Sequence, residues 1–140
     1  MMILLDQMLK LIIRANFLLY ESKSIIDGIF SLTYIKNDGA AFGTFSGNSA
    51  VLYFIPLAIV SVTITYLIIS FKELSAISKL SIISIVAGGL SNLIDRIFVG
   101  YVVDMFDFHI WPVFNLADVF VVLGCIIFIL TQLKRPIRWH

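Results

Sequence analysis

The sequence predicts an all-α integral membrane protein with four transmembrane helices, the first of them cut short, and one short sheet at the membrane surface. Two observations carry this. Of the 140 residues, 60% are hydrophobic and 14% charged, where a soluble domain carries about a quarter charged residues; the mean hydropathy is +1.02. The apolar residues also fall into runs long enough to cross a bilayer. The length suits one domain covering residues 1–140. A net charge of +1 gives no electrostatic case for nucleic acid. Cys125 is the only cysteine and sits in an apolar run, so it reads as a packing residue. With it and two distant histidines, His109 and His140, the sequence offers no ligand cluster, and neither a metal nor a cofactor is expected.

Residues 3–20 are mostly apolar but carry Asp6, Lys10 and Arg14 at i, i+4 and i+8, one stripe of a helix. The basic residues of a cleavable signal peptide precede its apolar core, and here they do not. The segment is expected to be a membrane helix whose inner half is short or missing, with Asp6 and Lys10 in structural roles. Ser31-Leu32-Thr33-Tyr34-Ile35-Lys36 alternates like a strand and runs into Asn37-Asp38-Gly39, a tight-turn signal. Residues 50–71 are 22 in a row without a charge. A third apolar run, residues 80–94, ends at Asp95-Arg96, and Gly88-Gly89 within it suits a close helix contact. Residues 114–133 form the fourth, with Pro112 placed for its first turn.

Basic residues set the orientation. Lys72 and Lys79 flank one loop, and Lys134, Arg135 and Arg138 follow the last helix. The positive-inside rule puts both regions in the cytoplasm. Residues 21–48 and 96–111 then lie outside, although Lys23, Lys36 and Arg96 narrow the margin.

The outer ends of the third and fourth runs gather polar residues. Asn92 and Asp95 are three apart, as are Asn115 and Asp118, so each pair shares a helix face. Asp104 is expected in the short outer loop. A carboxylate at membrane depth is costly and reads as functional by default. Asp104 and Asp118 are close enough along the chain to flank one water. Two adjacent carboxylates share a proton, so one activates water while the other protonates the attacked carbonyl oxygen. Asp107 fits the spacing as well as Asp104 does. Asp95 suits an ion pair, and Asn92 and Asn115 suit hydrogen-bonding support. On residues alone, a paired-aspartate hydrolase and a small proton- or ion-handling membrane protein stand level.

Five motifs in order separate them. Leu5-Asp6-Gln7-Met8-Leu9-Lys10, Asn37-Asp38-Gly39-Ala40-Ala41-Phe42-Gly43, Gly88-Gly89-Leu90-Ser91-Asn92-Leu93-Ile94-Asp95-Arg96, Gly100-Tyr101-Val102-Val103-Asp104 and Phe114-Asn115-Leu116-Ala117-Asp118 together resemble the lipoprotein signal peptidases, or signal peptidase II. The resemblance implies a four-helix membrane bundle with a small extracytoplasmic β-cradle and a surface helix. It implies a monomeric aspartic endopeptidase of the bacterial cytoplasmic membrane. Such an enzyme removes signal peptides from diacylglyceryl-modified prolipoproteins at the outer face, and globomycin inhibits it. Asp104 and Asp118 match the catalytic dyad. Asn37, Gly39, Asn92, Asp95, Arg96 and Asn115 match positions that shape the site and meet substrate. Ser91 stands where the family usually has glycine. The start close before Asp6 leaves a truncated, inactive homologue as a further alternative.

Overall fold

The computed structural model describes residues 1–39 and 49–133, with side chains from residue 52 onward in the second stretch. Ala40 to Gly43 of the second motif, the basic cluster Lys134, Arg135 and Arg138, and His140 lie outside the described residues. Seven elements follow in order: α1 (Met2–Asn16), β1 (Ser22–Ile26), β2 (Phe30–Asn37), α2 (Ser49–Ile69), α3 (Ala76–Phe98), β3 (Val102–Asp107) and α4 (Leu116–Leu133). Three helices, α2, α3 and α4, are long and apolar enough to cross a membrane. No separate surface helix occurs among the described residues.

The surface of α1 is inverted relative to a soluble helix. Asp6, Lys10 and Ile13 are its buried residues, while Leu4, Leu5, Met8, Leu11 and Ile12 are exposed. Water would favour the opposite arrangement; lipid around the helix favours this one. On α2 and α4 the exposed residues are likewise large and apolar, among them Phe54, Val62, Ile68, Leu130 and Leu133.

Helix α3 is the hub and touches each of the other three helices. Its contacts with α2 and α4 are made possible by missing side chains. A Cβ on Gly88 would run into the Ala117 carbonyl of α4, and one on Gly89 would sit 2.6 Å from Val60 Cγ2 of α2. The helix is longer at both ends than its apolar run. Ser75 caps its start by accepting from the Ser78 N–H at 3.1 Å, which draws Lys79 into the first turns. Its end is closed by Val99 and Gly100, whose N–H groups both donate to the Asp95 carbonyl. Gly100 has φ +88°, the left-handed conformation that lets the chain leave the helix toward β3.

The sheet is antiparallel with order β1-β2-β3. Two of its strands were not read from the sequence, and one matters. Asp104 lies on strand β3 rather than in a loop, opposite Ile35 of β2. Alternation sends Val103 and Met105 to the face that packs on Ile13 and Tyr34, with Leu9 of α1 and Phe17 just past its end beside them. Asp104 therefore points to the other face, toward α3 and α4. Pro112 is also placed differently from expectation. It precedes α4 by several residues, because Phe114 first pairs with Phe106 as an isolated bridge and the helix begins only at Leu116.

Candidate active site

The start of α4 builds half of the site. Asn115 is the residue before the helix, and its Oδ1 accepts from the Asp118 N–H at 2.9 Å. The Asp118 Oδ2 accepts in return from the Asn115 N–H at 3.2 Å. This is a reciprocal capping box, with aspartate in the place that glutamate often takes. The Ala117 N–H, left free by that exchange, donates to Asp6 Oδ1 of α1 at 2.8 Å. Asp118 is thus fixed at the positive end of the helix with one oxygen committed to the cap. Its Oδ1 accepts from Asn92 Nδ2 of α3 at 2.8 Å.

Strand β3 supplies the other half. Asp104 is 2% exposed, and each oxygen receives an amide N–H. Asn115 Nδ2 donates to Oδ1 at 2.6 Å, and Asn37 Nδ2 donates to Oδ2 at 2.8 Å. Asn37 lies two residues along β2 from Ile35, the partner of Asp104, so the pair is a same-face diagonal. The Asn37 side chain is held in turn by the Gly39 N–H, which donates to its Oδ1 at 2.9 Å. Gly39 has φ +84°, a conformation that glycine adopts readily, and its N–H serves to aim Asn37. Burial pushes the Asp104 carboxyl up to about 6, and the charge of Asp118 adds to the rise. The hydrogen bonds from Asn37 and Asn115, and the charge of Lys10, oppose it.

Behind the pair lies a buried ion cluster. Lys10 Nζ is 2.7 Å from Asp6 Oδ2 and 2.7 Å from Asp95 Oδ2, with all three side chains fully buried. The contact with Asp95 Oδ2 is one of charge, without hydrogen-bond geometry. Ser91 donates to Asp6 Oδ2 at 2.7 Å. Gln7 Nε2 reaches Asp95 Oδ1 at 3.0 Å and the Ser91 hydroxyl at 3.1 Å. Asp95 is therefore paired with Lys10 rather than with its neighbour Arg96. Gln7 was not singled out from the sequence; the signal that could have found it is an amide in an otherwise apolar helix, beside Asp6.

Arg96 points elsewhere. It lines a groove of about 490 Å³ between α2, α3 and α4, together with Asn92, Asp118, Gly89, Pro56 and Trp111. Its Nε–H is buried and meets no acceptor among the described residues. Asp104 opens instead into a hollow of about 350 Å³ beside Asn37 and Asp38, and Pro112 and Val113 form a wall common to both spaces. Asn37, Asn92, Asp104, Asn115 and Asp118 are thus brought into one network, with Arg96 at its edge and Asp6, Lys10 and Asp95 beneath it. Asp107 takes no part: its oxygens accept from the His109 N–H and the Thr33 hydroxyl. The groove walls at Pro56 and Trp111 carried no sequence signal beyond being apolar.

The family model described as signal peptidase (SPase) II matches residues 1–134. A lipoprotein signal peptidase of Halothermothrix orenii is 47% identical over 130 residues, covering 91% of this chain and 87% of that protein. One of Syntrophomonas wolfei is 40% identical over 133 residues, covering 95% and 88%. Among solved structures, a bacterial membrane enzyme obtained by the in meso method superposes with a TM-score of 0.86 at 30% identity, covering 96% of this chain and 89% of that one. Another, similarly described, gives 0.84 at 28% identity, covering 98% and 90%. Three membrane-spanning helices and these neighbours make this a membrane protein, and the match along nearly its whole length places the chain in the signal peptidase II family.

Proposed function

We propose that the chain is an aspartic endopeptidase that removes signal peptides from diacylglyceryl-modified prolipoproteins, cutting before the lipidated cysteine. The observation that carries the chemistry is the bridging of the two carboxylates by one residue, Asn115, whose side-chain NH₂ donates to Asp104 and whose backbone N–H donates to Asp118, with each carboxylate facing its own hollow. Asp104, held up by burial, is the acid and protonates the carbonyl oxygen under attack. Asp118 takes a proton from the water that attacks the carbonyl carbon. The tetrahedral intermediate collapses with cleavage of the C–N bond as Asp118 passes its proton to the leaving amine and Asp104 takes its own back from the hydroxyl, and no metal or covalent intermediate is needed.

The apolar groove between α2, α3 and α4 suits lipid-linked substrate arriving sideways through the bilayer. The hollow beside β2 suits the extended peptide on the other side of the scissile bond. Arg96 lines the groove next to Asn92 and Asp118, which suits it to meet a substrate carbonyl. Lys72 and Lys79, with the basic residues that follow α4 in the sequence, support a site at the outer face of the bacterial cytoplasmic membrane. The enzyme works as a monomer on this reading. A proton relay fits less well, because the uncharged run at residues 50–71 and the apolar remainder of α4 leave no carboxylate path across the membrane.

The test is cleavage of a purified diacylglyceryl-modified prolipoprotein, with and without globomycin. Asp104→Asn and Asp118→Asn each abolish product while the protein still inserts. Normal cleavage by either variant ends the assignment of the dyad.

A further inference from the structure

The three asparagines around the two aspartates must each present a particular end of the amide. A flipped amide would aim an oxygen at a carboxylate. Here each has a lock. Asn37 is locked by the Gly39 N–H, which can only donate, at 2.9 Å from Oδ1. Asn115 is locked by the Asp118 N–H at 2.9 Å. Both locks are backbone groups of the residue's own turn. Asn92 has no such local donor. Its Oδ1 accepts from Lys10 Nζ at 2.9 Å and from Asn115 Nδ2 at 3.2 Å, and only then does its Nδ2 face Asp118 Oδ1 at 2.8 Å.

An ammonium has three N–H donors and no acceptor. Lys10 therefore tolerates one orientation of Asn92 and rejects the other. Of the two donors to Asn92 Oδ1, it is the shorter and the charged one, and charge-assisted hydrogen bonds are about twice as strong as neutral ones. The Asn115 NH₂ spends one hydrogen on Asp104 at 2.6 Å and has its second for Asn92, but that contact is longer and neutral. Lys10 is fully buried, so water does not take over its part. The ion cluster beneath the site thus does more than hold α1 to α3.

We propose that Lys10 is a positioning residue for catalysis: it fixes the amide of Asn92 so that an N–H, not an oxygen, faces Asp118. The proposal rests on the dyad reading above. Lys10 is fully buried; besides holding Asn92, its charge lowers the Asp104 carboxyl, an effect that both uncharged replacements below remove equally.

The test compares two replacements. Lys10→Gln keeps a donor able to reach Asn92; Lys10→Met, of similar length, has none. Both are made with Asp95→Asn, so that no second carboxylate is stranded without its cation; Asp6 retains its donors from Ser91 and Ala117. In that background Lys10→Met should lower kcat at least tenfold below Lys10→Gln, with KM within twofold between them. When Asn92→Ala is added, the two should become equal, because the lock has nothing left to act on. Equal kcat for Met and Gln with Asn92 present, or an undiminished difference without it, overturns the proposal. A separate variant needs no change at Lys10. Asn92→Asp keeps an acceptor for the ammonium and removes the N–H toward Asp118, so kcat should fall at least tenfold while the protein stays folded in detergent. Full kcat in that variant overturns the proposal even where Lys10→Met fails to fold. The dyad reading fails separately, through activity that survives Asp104→Asn or Asp118→Asn.

Discussion

Asn115 and Asp118 satisfy each other's backbone: the side chain of each accepts the other's N–H, at 2.9 and 3.2 Å. The same Asn115 side chain donates to Asp104 at 2.6 Å. The helix cap and the donor to Asp104 are therefore one residue, and substitutions can separate the two jobs.

Asn115→Ser keeps a good capping oxygen but cannot reach Asp104. Asn115→Ala keeps neither. The alanine variant should be less stable than the serine variant by about 1 kcal/mol, the usual worth of a cap. Both should lose most activity, since both leave Asp104 Oδ1 without its donor. Thermal unfolding in detergent and prolipoprotein cleavage give the two readouts, and a serine variant with full activity would remove Asn115 from the site.

Gly88 and Gly89 should respond unequally to a methyl group. At Gly88 the new Cβ meets the backbone of Ala117, which the cap and Asp6 hold in place. Gly88→Ala should cost about 1–3 kcal/mol, as overpacking does, and should slow cleavage by moving the start of α4. At Gly89 the obstacle is a methyl of the Val60 side chain, which can turn aside. Melting temperatures of the two variants check the order.

Stability should depend on pH through Asp104. Its carboxyl is pushed up to about 6 from 3.8, chiefly by burial. The folded protein therefore holds this proton more tightly than the unfolded chain does. The resulting stabilisation is fully present below about pH 4 and is lost as pH rises through about 6. A shift of this size corresponds to roughly 3 kcal/mol. Between pH 4 and pH 7 the wild type should lose about that much more than Asp104→Asn does, because the asparagine does not titrate. Parallel unfolding curves for the two across that range would contradict the burial argument.

Asp107 serves as an internal control. It sits on the same strand as Asp104, but its two oxygens hold the His109 N–H at 2.9 Å and the Thr33 hydroxyl at 3.1 Å. Asp107→Asn should retain cleavage within a few-fold of wild type. Loss of activity in that variant, with Asp104→Asn still active, would exchange the two in the dyad.

Helices α2 and α4 were legible because lipid-facing helices read as uninterrupted apolar runs, and these two differ from the runs at 50–71 and 114–133 only at their ends. The ends of α3 were not, because the residues that extend it, Lys79 before the run and Asp95-Arg96 after it, look like loop residues in an apolar count. What decides those ends is the Ser75 cap and Gly100. Strand β3 is six residues long, too short for its alternation to stand out next to Gly100. Asp104 was therefore found by its chemistry while its support was misplaced. Its diagonal relation to Asn37 depends on strand register, and the contact of Lys10 with Asn92 joins residues 82 apart; no local pattern encodes either. The three-residue spacing of Asn115 and Asp118 was visible but was read as a shared helix face. The same spacing is the signature of a capping box, and the structure uses it that way.

The i, i+4 pairing of Asp6 with Lys10 bears on how the chain enters the bilayer. These two charges lie on one helix, 2.7 Å apart, so α1 carries its own counter-ion and presents no net charge at that level. Asp95 of α3 meets its nearest cation, Lys10, on α1, while Arg96 beside it lines the groove. Leaving one member of a buried pair alone costs about 3–5 kcal/mol. Insertion of α1 can thus precede any contact with the rest of the bundle, whereas α3 reaches its final depth only once α1 is there to receive it. An insertion assay on α3 with and without α1 should show the dependence, and Asp95→Asn should abolish it.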